Sequence, residues 1–309
     1  MSLSEVWREI GNVSLPILSL TLVTKFVNLL LGAMRTQVLI RNQHRFTLGA
    51  LLDSQLAGFA GNNLLPLRFG DLVRIDYMAK RGGLTHSACL QVVVMERLLD
   101  VLSLVALCLL LLPFVSVGLQ LGSAFYLATV ASIGGAVAIL AARQKPEWFI
   151  RAFKQVVGLG GDRVSQFLVP KGERFVRELS LVSTGRSTAP AFLISVAIWG
   201  VSMASVWTWF WAFNVTLPWY APFLVLIFLA FGMALPATPG QVGTYHYFVA
   251  AALTVCGLDR VHALSIAVVA HAASIVPFTI LGLPSLIAFA VRRSARGAAT
   301  APGSAERVT

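Results

Sequence analysis

Apolar residues run along this chain in long blocks separated by short polar gaps. A bilayer core is spanned by about 20 mostly apolar residues. The blocks at roughly 10–33, 85–113, 121–142, 188–213 and 262–290 meet that length, while 47–65, 219–235 and 240–256 are shorter or marginal. The pattern predicts an all-α polytopic membrane protein, a helical bundle with one or two re-entrant (broken) helical elements.

The polar gaps give the blocks a direction. Arg35, Arg41 and Arg45 precede the run 47–65, and Arg68, Arg74, Lys80 and Arg81 follow it. Cytoplasmic loops carry an excess of Lys and Arg, so this run is expected to enter and leave on the same side. The block 85–113 then crosses outward, the stretch PFVSVGLQ from Pro113 lies outside, and 121–142 returns. Residues 143–187, with nine Lys and Arg against four acids, form a cytoplasmic amphipathic insertion. The block 188–213 leads out again, and 262–290 leads back to Arg292, Arg293 and Arg296. The runs 219–235 and 240–256 therefore cross twice or form one hairpin. This organisation places a transmembrane domain at 1–291 and a disordered basic tail, rich in Ala, Gly and Ser, at 292–309.

Composition agrees. The 309 residues are 57% hydrophobic and 12% charged, with a mean hydropathy of +0.79; a soluble domain carries about a quarter charged residues. The net charge of +11 sits in the gaps between apolar blocks, which suits anionic lipid and not nucleic acid. The start MSLSEVWREIGNV has no basic n-region or small-residue cleavage site, so the first block is expected to remain as a membrane segment. Cys89, Cys108 and Cys256 read as small buried hydrophobes. In 143–187, Trp148, Phe149, Phe153, Phe167 and Phe175 interleave with basic residues, as in a helical hairpin on anionic headgroups or a solvated loop. VGLGGDR within it reads as a flexible turn, because no strand precedes it.

Three polar stretches interrupt the apolar blocks. In GNNLLPLRFGDLVR, Asn62 and Asn63 can satisfy a backbone broken at Pro66. Arg68, Asp71 and Arg74 follow, and the arginine fork suits a lipid phosphate; the alternative is an interfacial loop with snorkelling arginines. In VVVMERLLDVLSLV, Glu96 and Asp100 are four apart and share a helix face, with Arg97 about 100° around. An unpaired charge at the bilayer centre costs roughly 2.5–3.5 kcal/mol, so these charges pair internally or line a polar cavity, with Lys25 and Asp53 as further members. In FGMALPATPGQVGTYHYF, prolines and glycines rule out a straight helix. Gly240 and Gly243 leave backbone N–H groups open, and a half-helix from Gly243 would aim its positive end at an anion; the alternative is a plain turn. His246 and His271 lie in apolar helices, as packing residues or proton carriers. Leu65-Pro66 before Gly70 and Leu235-Pro236 before Gly240 hint at an inverted repeat of broken helices. No HExxH, P-loop, GxSxG, acyltransferase or glycosyltransferase motif occurs, so no enzyme activity, cofactor or metal is expected.

In combination and order, N-N-L-L-P-L-R-F-G-D-L-V-R, E-R-L-L-D and P-G-Q-V-G resemble the lysylphosphatidylglycerol synthase transmembrane region, or flippase-like integral membrane family, over about residues 10–290. The resemblance implies a polytopic domain of the bacterial or archaeal plasma (inner) membrane that translocates a modified phospholipid or a polyprenyl-linked saccharide. It carries functional weight onto Asn63, Pro66, Arg68, Gly70, Asp71 and Arg74, onto Glu96, Arg97 and Asp100, and onto Pro239, Gly240 and Gly243. Asp71 stands where the family has Glu, Gln241 where it has Gly, and His246 and His271 where many members have an acid and an arginine. The chain looks like the flippase half without the aminoacyl transferase domain, beginning one helix later than longer relatives. The expected substrate-binding set is Asn62, Asn63, Arg68, Asp71, Arg74, Glu96, Arg97, Asp100, Gly240, Gly243, His246 and His271. Membrane lipids, an anionic phospholipid or a polyprenyl-phosphate glycolipid, are the expected partners. The competing expectation is a non-transporting accessory partner of a glycosyltransferase or lipid-modifying enzyme.

Overall fold

In hydrocarbon no water satisfies backbone N–H and C=O groups, so apolar blocks close their hydrogen bonds internally as helices. The computed structural model describes residues 8–9, 11, 13–40, 46–65, 69–111, 134, 146–158, 165–166, 169–170, 173, 185–234 and 238–299, and among them there is no strand. The main elements are α1 (Leu15–Ile40), α2 (Leu48–Leu64), α3 (Gly70–Gly82), α4 (His86–Leu111), α5 (Pro146–Gly158), α6 (Gly185–Ala212), α7 (Ala221–Ala234), a 3-10 turn (Pro239–Gln241), α8 (Thr244–Val255) and α9 (Arg260–Ala299). The block 121–142, the outer loop after Pro113, Arg41, Arg45, Pro66, Arg68, Leu235, Pro236 and most of 143–187 lie outside the described residues.

Leu15–Ile40, Ser187–Ala212 and Arg260–Val291 are long and apolar enough to cross a membrane. Their outer faces carry exposed Leu22, Val23, Phe26, Leu193, Ile280, Leu281 and Ile287, as a lipid-facing surface requires. This is a multi-pass membrane protein. Helix α4 has 26 residues and reaches about 39 Å, but carries three charges in its middle. With 14 and 12 residues, α7 and α8 extend only about 21 and 18 Å, short of a hydrocarbon core of about 30 Å. They pack on each other across a break. Two expected boundaries move: α1 runs on to Ile40, which takes Arg35 out of the loop and into the helix, and α9 continues to Ala299, so the stretch 292–299 assigned to a disordered tail is helical.

The buried apolar residues form two main clusters. One joins α1 to α4 around Leu39, Leu51, Met78, Met95 and Leu99. The other joins α6 to α9 around Trp209, Phe210, Val225, Leu253 and Ile266. Helices α1 and α6 tie the halves together in antiparallel packing, the most extensive helix pairing in the structure. Polar rungs recur every seven residues along α1. Thr21 and Thr208 hydroxyls meet at 2.7 Å, Asn28 Nδ2 donates to Ser202 Oγ at 3.0 Å, and Arg35 Nη1 donates to Ser195 Oγ at 2.9 Å. Apolar packing alone discriminates little between helix partners in lipid, so side-chain hydrogen bonds and close backbone approach fix the pairing.

Glycine supplies the close approach on the other seam, where α9 crosses α2. A Cβ on Gly282 would lie 2.3 Å from the Leu56 carbonyl oxygen and 2.8 Å from Ala60 Cβ. Gly70 likewise opens α3 against α2, where a Cβ would sit 1.9 Å from the Gly58 carbonyl oxygen. Gly282→Ala is therefore expected to destabilise the fold by about 1–3 kcal/mol through overpacking. Gly200→Ala, whose new methyl meets nothing within 4 Å, should be neutral or stabilising by up to about 1 kcal/mol. Thermal unfolding in detergent separates the two.

The turn from α3 to α4 is fastened by Asp76, which accepts from Lys80 Nζ at 2.7 Å and contacts His86 Nε2 at 2.8 Å. Burial acts to raise the Asp76 pKa, but the Lys80 and His86 hydrogen bonds and charges outweigh it, so the carboxyl titrates below the usual aspartate range. A carboxyl depressed in the folded state stabilises above its unfolded value of about 3.9 and ceases to do so as pH falls through the folded one. Hydrogen exchange over residues 82–88 should accelerate below about pH 4 in the parent more than in Asp76→Asn.

Candidate functional site

Charges on two adjacent turns of α4 gather partners from three other helices. Glu96 is 3% exposed and receives Arg74 of α3 in a two-pronged pair, Nη1 to Oε2 at 2.6 Å and Nη2 to Oε1 at 2.9 Å. Thr36 of α1, fully buried, accepts from Arg74 Nη2 at 2.7 Å and donates to Glu96. This triad is closed and dry. Asp100 pairs with Arg35, which is itself 7% exposed and tied to Ser195, and the Asp100 carbonyl accepts from Trp199 Nε1 at 3.1 Å. Glu96 and Asp100 share a helix face in the sequence but serve separate networks, because Arg74 and Arg35 approach from different helices.

Arg97 differs from both. It pairs with Asp71 at 3.2 Å and lies 3.9 Å from Asp100, yet half of its side chain, 51%, stays accessible. It faces a partly open cavity of about 360 Å³. Six helices and the 3-10 turn also contribute to the wall, which includes Lys25, Asn62, Asn63, Trp209, Gly240 and His271. The cavity thus borders the α6–α9 apolar cluster, through Val206, Trp209, Leu226 and Leu229, and is closed on its other sides by α1, α2 and α4.

The second wall is the break between α7 and α8. Gly240, Gln241 and Gly243 all hold left-handed backbone, with φ of 64°, 58° and 88°. Glycine adopts this freely, whereas Gln241, which is also in the cavity wall, does so at a cost of about 1–2 kcal/mol. The Gly243 N–H is met by His246 Nδ1 at 3.4 Å, closing the start of α8. His271 Nε2 donates to the Gly240 carbonyl at 2.9 Å, and its ring stacks on Tyr245 at 4.4 Å and meets His246 edge-on at 4.6 Å. The break touches the end of α2: a Cβ on Gly240 would be 3.4 Å from the Asn63 carbonyl oxygen, and Asn63 Nδ2 donates to Thr279 of α9 at 2.7 Å. The end of α2 and the 3-10 turn between α7 and α8 therefore meet in one wall.

Of the twelve residues expected at a site, Asn62, Asn63, Arg97, Gly240 and His271 line the cavity. Asp71 stands behind Arg97, shared with Asn62 Nδ2 at 3.2 Å. Arg74 and Glu96 are withdrawn into the dry triad, Asp100 is held by Arg35, Gly243 and His246 shape the α8 start, and Arg68 lies outside the described residues. Asp53 joins Tyr77 and Arg81 and not the cavity. Arg35 was missed because it reads as a loop charge beside Arg41. Ser205 and Trp209 were missed because a serine and a tryptophan in an apolar helix carry no signal of their own.

The profile of the lysylphosphatidylglycerol synthase TM region family matches residues 1–282. The chain belongs to that family. No curated protein matches it. Membership gives this lysylphosphatidylglycerol synthase-like domain a role connected with membrane lipid, and three separate stretches of the sequence, around Asn63, Arg97 and Gly240, converge on the walls of one cavity. Because Arg74 and Glu96 sit behind that wall, their pair fixes α3, α4 and α1 relative to each other. Removing one partner of a buried pair costs about 3–5 kcal/mol, whereas replacing both by apolar groups is often tolerated. Arg74→Ala should lower the detergent unfolding temperature sharply, and Arg74→Met with Glu96→Leu should recover most of the loss.

Proposed function

We propose that this domain translocates an anionic or modified phospholipid, or a polyprenyl-linked glycolipid, between leaflets, without enzymatic chemistry of its own. One observation carries the reading: a partly open cavity of about 360 Å³, walled by helices from both halves of the chain, with the half-exposed Arg97 in its wall. A charged headgroup faces a steep desolvation barrier in lipid tails. A cavity that supplies Arg97, Lys25 and amide groups offsets that barrier along the path. In this reading α2–α3 and α7–α8 are re-entrant units dipping from opposite faces, and their contact at Asn63 and Gly240 forms the barrier between the two entrances. The basic stretch 143–187 and the C-terminal end of α9 lie on the cytoplasmic side of the plasma membrane.

A second reading, an accessory partner of a glycosyltransferase or lipid-modifying enzyme, has one supporting feature. Helix α5 is amphipathic and presents Trp148 57% exposed, while Lys154 pairs with Glu173 at 2.6 Å. The readings separate in liposomes. Reconstituted protein should move a fluorescent phosphatidylglycerol between leaflets, and Arg97→Ala, if it unfolds at the parental temperature, should slow that movement by roughly tenfold or more, the size of a lost charged hydrogen bond. Parental rates in Arg97→Ala would remove the assigned role. An absence of movement, together with an enzyme whose co-purification is lost in Trp148→Ala, would favour the accessory reading.

A further inference from the structure

Two imidazoles hold the break between α7 and α8, and each hydrogen bond fixes a tautomer. The Gly240 carbonyl can only accept, so His271 carries a proton on Nε2, where it meets that oxygen at 2.9 Å. The Gly243 N–H can only donate, so His246 presents a bare Nδ1 to it at 3.4 Å and keeps its own proton on Nε2. Gly243 caps α8, and His246 is the third residue after the cap. Glutamate or glutamine at this position reaches back to the cap N–H in the same way and closes the first turn. Histidine makes the same closure from a side chain whose charge changes between about pH 5 and pH 8.

A proton has different consequences on the two rings. On His271 it would arrive at Nδ1 and leave the Nε2 donor on Gly240 in place. On His246 it would arrive at the nitrogen that accepts from Gly243, setting N–H against N–H and adding a positive charge to the positive end of α8. His246 is half-buried and His271 only 7% exposed, so His246 is the more accessible of the two. The rings meet edge-on at 4.6 Å, and like charges that close disfavour a second proton. The other ionisable groups around the pair are Tyr245 of α8, stacked on His271, together with Lys25 of α1 and Arg97 of α4, which line the same cavity as His271. Among the described residues no carboxylate lines that cavity.

The backbone beside the pair is poised to move. Gln241 holds a left-handed φ of 58°, which is costly for a residue with a side chain. The turn is otherwise fastened by the Gln241 N–H on the Thr238 carbonyl and the Thr238 hydroxyl on the Val242 carbonyl, both at 2.8 Å. We propose that His246 is a proton-operated latch on this break: neutral, it caps α8 and keeps Gly240 against Asn63, and protonated, it releases the first turn of α8 and opens that contact. The gating half of this inference rests on the reading of the Asn63–Gly240 contact as the barrier of a lipid path.

Amide hydrogen exchange of the full chain in nanodiscs, read over residues 238–250 and corrected for the intrinsic effect of pH, tests the latch. Between about pH 7.5 and about pH 5.5, protection in the parent should fall roughly fivefold, the size of one lost helix cap. His246→Gln, which keeps the acceptor but does not titrate, should hold its protection across the range. His271→Gln, which can still donate to Gly240, should keep the parental response. Unchanged protection in the parent, or a parental response in His246→Gln, overturns the latch. Loss of the response in His271→Gln overturns its assignment to His246, an outcome that stands even where His246→Gln fails to fold. In liposomes, the parent should move fluorescent phosphatidylglycerol faster at the lower pH and His246→Gln should not. Movement that ignores pH while exchange responds overturns the gating role. An absence of movement at either pH, with the exchange response intact, overturns the transport reading and leaves the latch standing.

Discussion

Ionised groups in hydrocarbon must find counter-charges within the protein, and in this fold that requirement is concentrated on α4 between Glu96 and Asp100. Glu96 recruits Arg74 and Thr36, Asp100 recruits Arg35 and, through it, Ser195, and Arg97 recruits Asp71. Each pairing fixes a neighbouring helix at a definite height. Four helices, α1, α3, α4 and α6, are registered in this way, and lipid-facing leucines could not have set that register because tails solvate them equally well from any side.

The same constraint explains where the cavity lies. Two of the three α4 charges are consumed in pairs with buried arginines, while the third is directed into the cavity beside the α6–α9 apolar cluster. The α1–α6 ladder holds one edge of that space, and the small residues at the α2–α9 crossing hold another. The interrupted helices complete it. A continuous helix from 221 to 255 would fill the gap with side chains, whereas a break with left-handed backbone at Gly240, Gln241 and Gly243 brings backbone to the wall instead. Packing, electrostatics and backbone irregularity thus cooperate to keep a cavity with a charged wall open among the described helices.

Much of this was legible in residue order. The long apolar blocks marked out the helices and their class, and the resemblance carried by the stretches around Asn63, Glu96 and Gly240 agrees with the family to which the chain belongs. The extent of α1 was less legible, since helix geometry continues past the apolar block once a tertiary partner satisfies the next polar residue. Arg35 is the clearest case: a cation at the edge of a block reads as a loop signal until Asp100 and Ser195 are seen beside it.

By itself, the sequence determined that the chain is a helical membrane protein, that its charges within apolar blocks need partners, and that the chain breaks near Pro66 and Pro239, because hydropathy, charge and glycine or proline content are local properties. The tertiary structure alone decided which charge is sealed and which is open. Glu96, Arg97 and Asp100 are all charges within one apolar block, and the helices that approach each one from outside set their fates. It also decided that Lys25, which pairs with no carboxylate among the described residues, lines the same cavity as Trp209 and Ser205, since three-dimensional neighbours leave no mark on the order of residues.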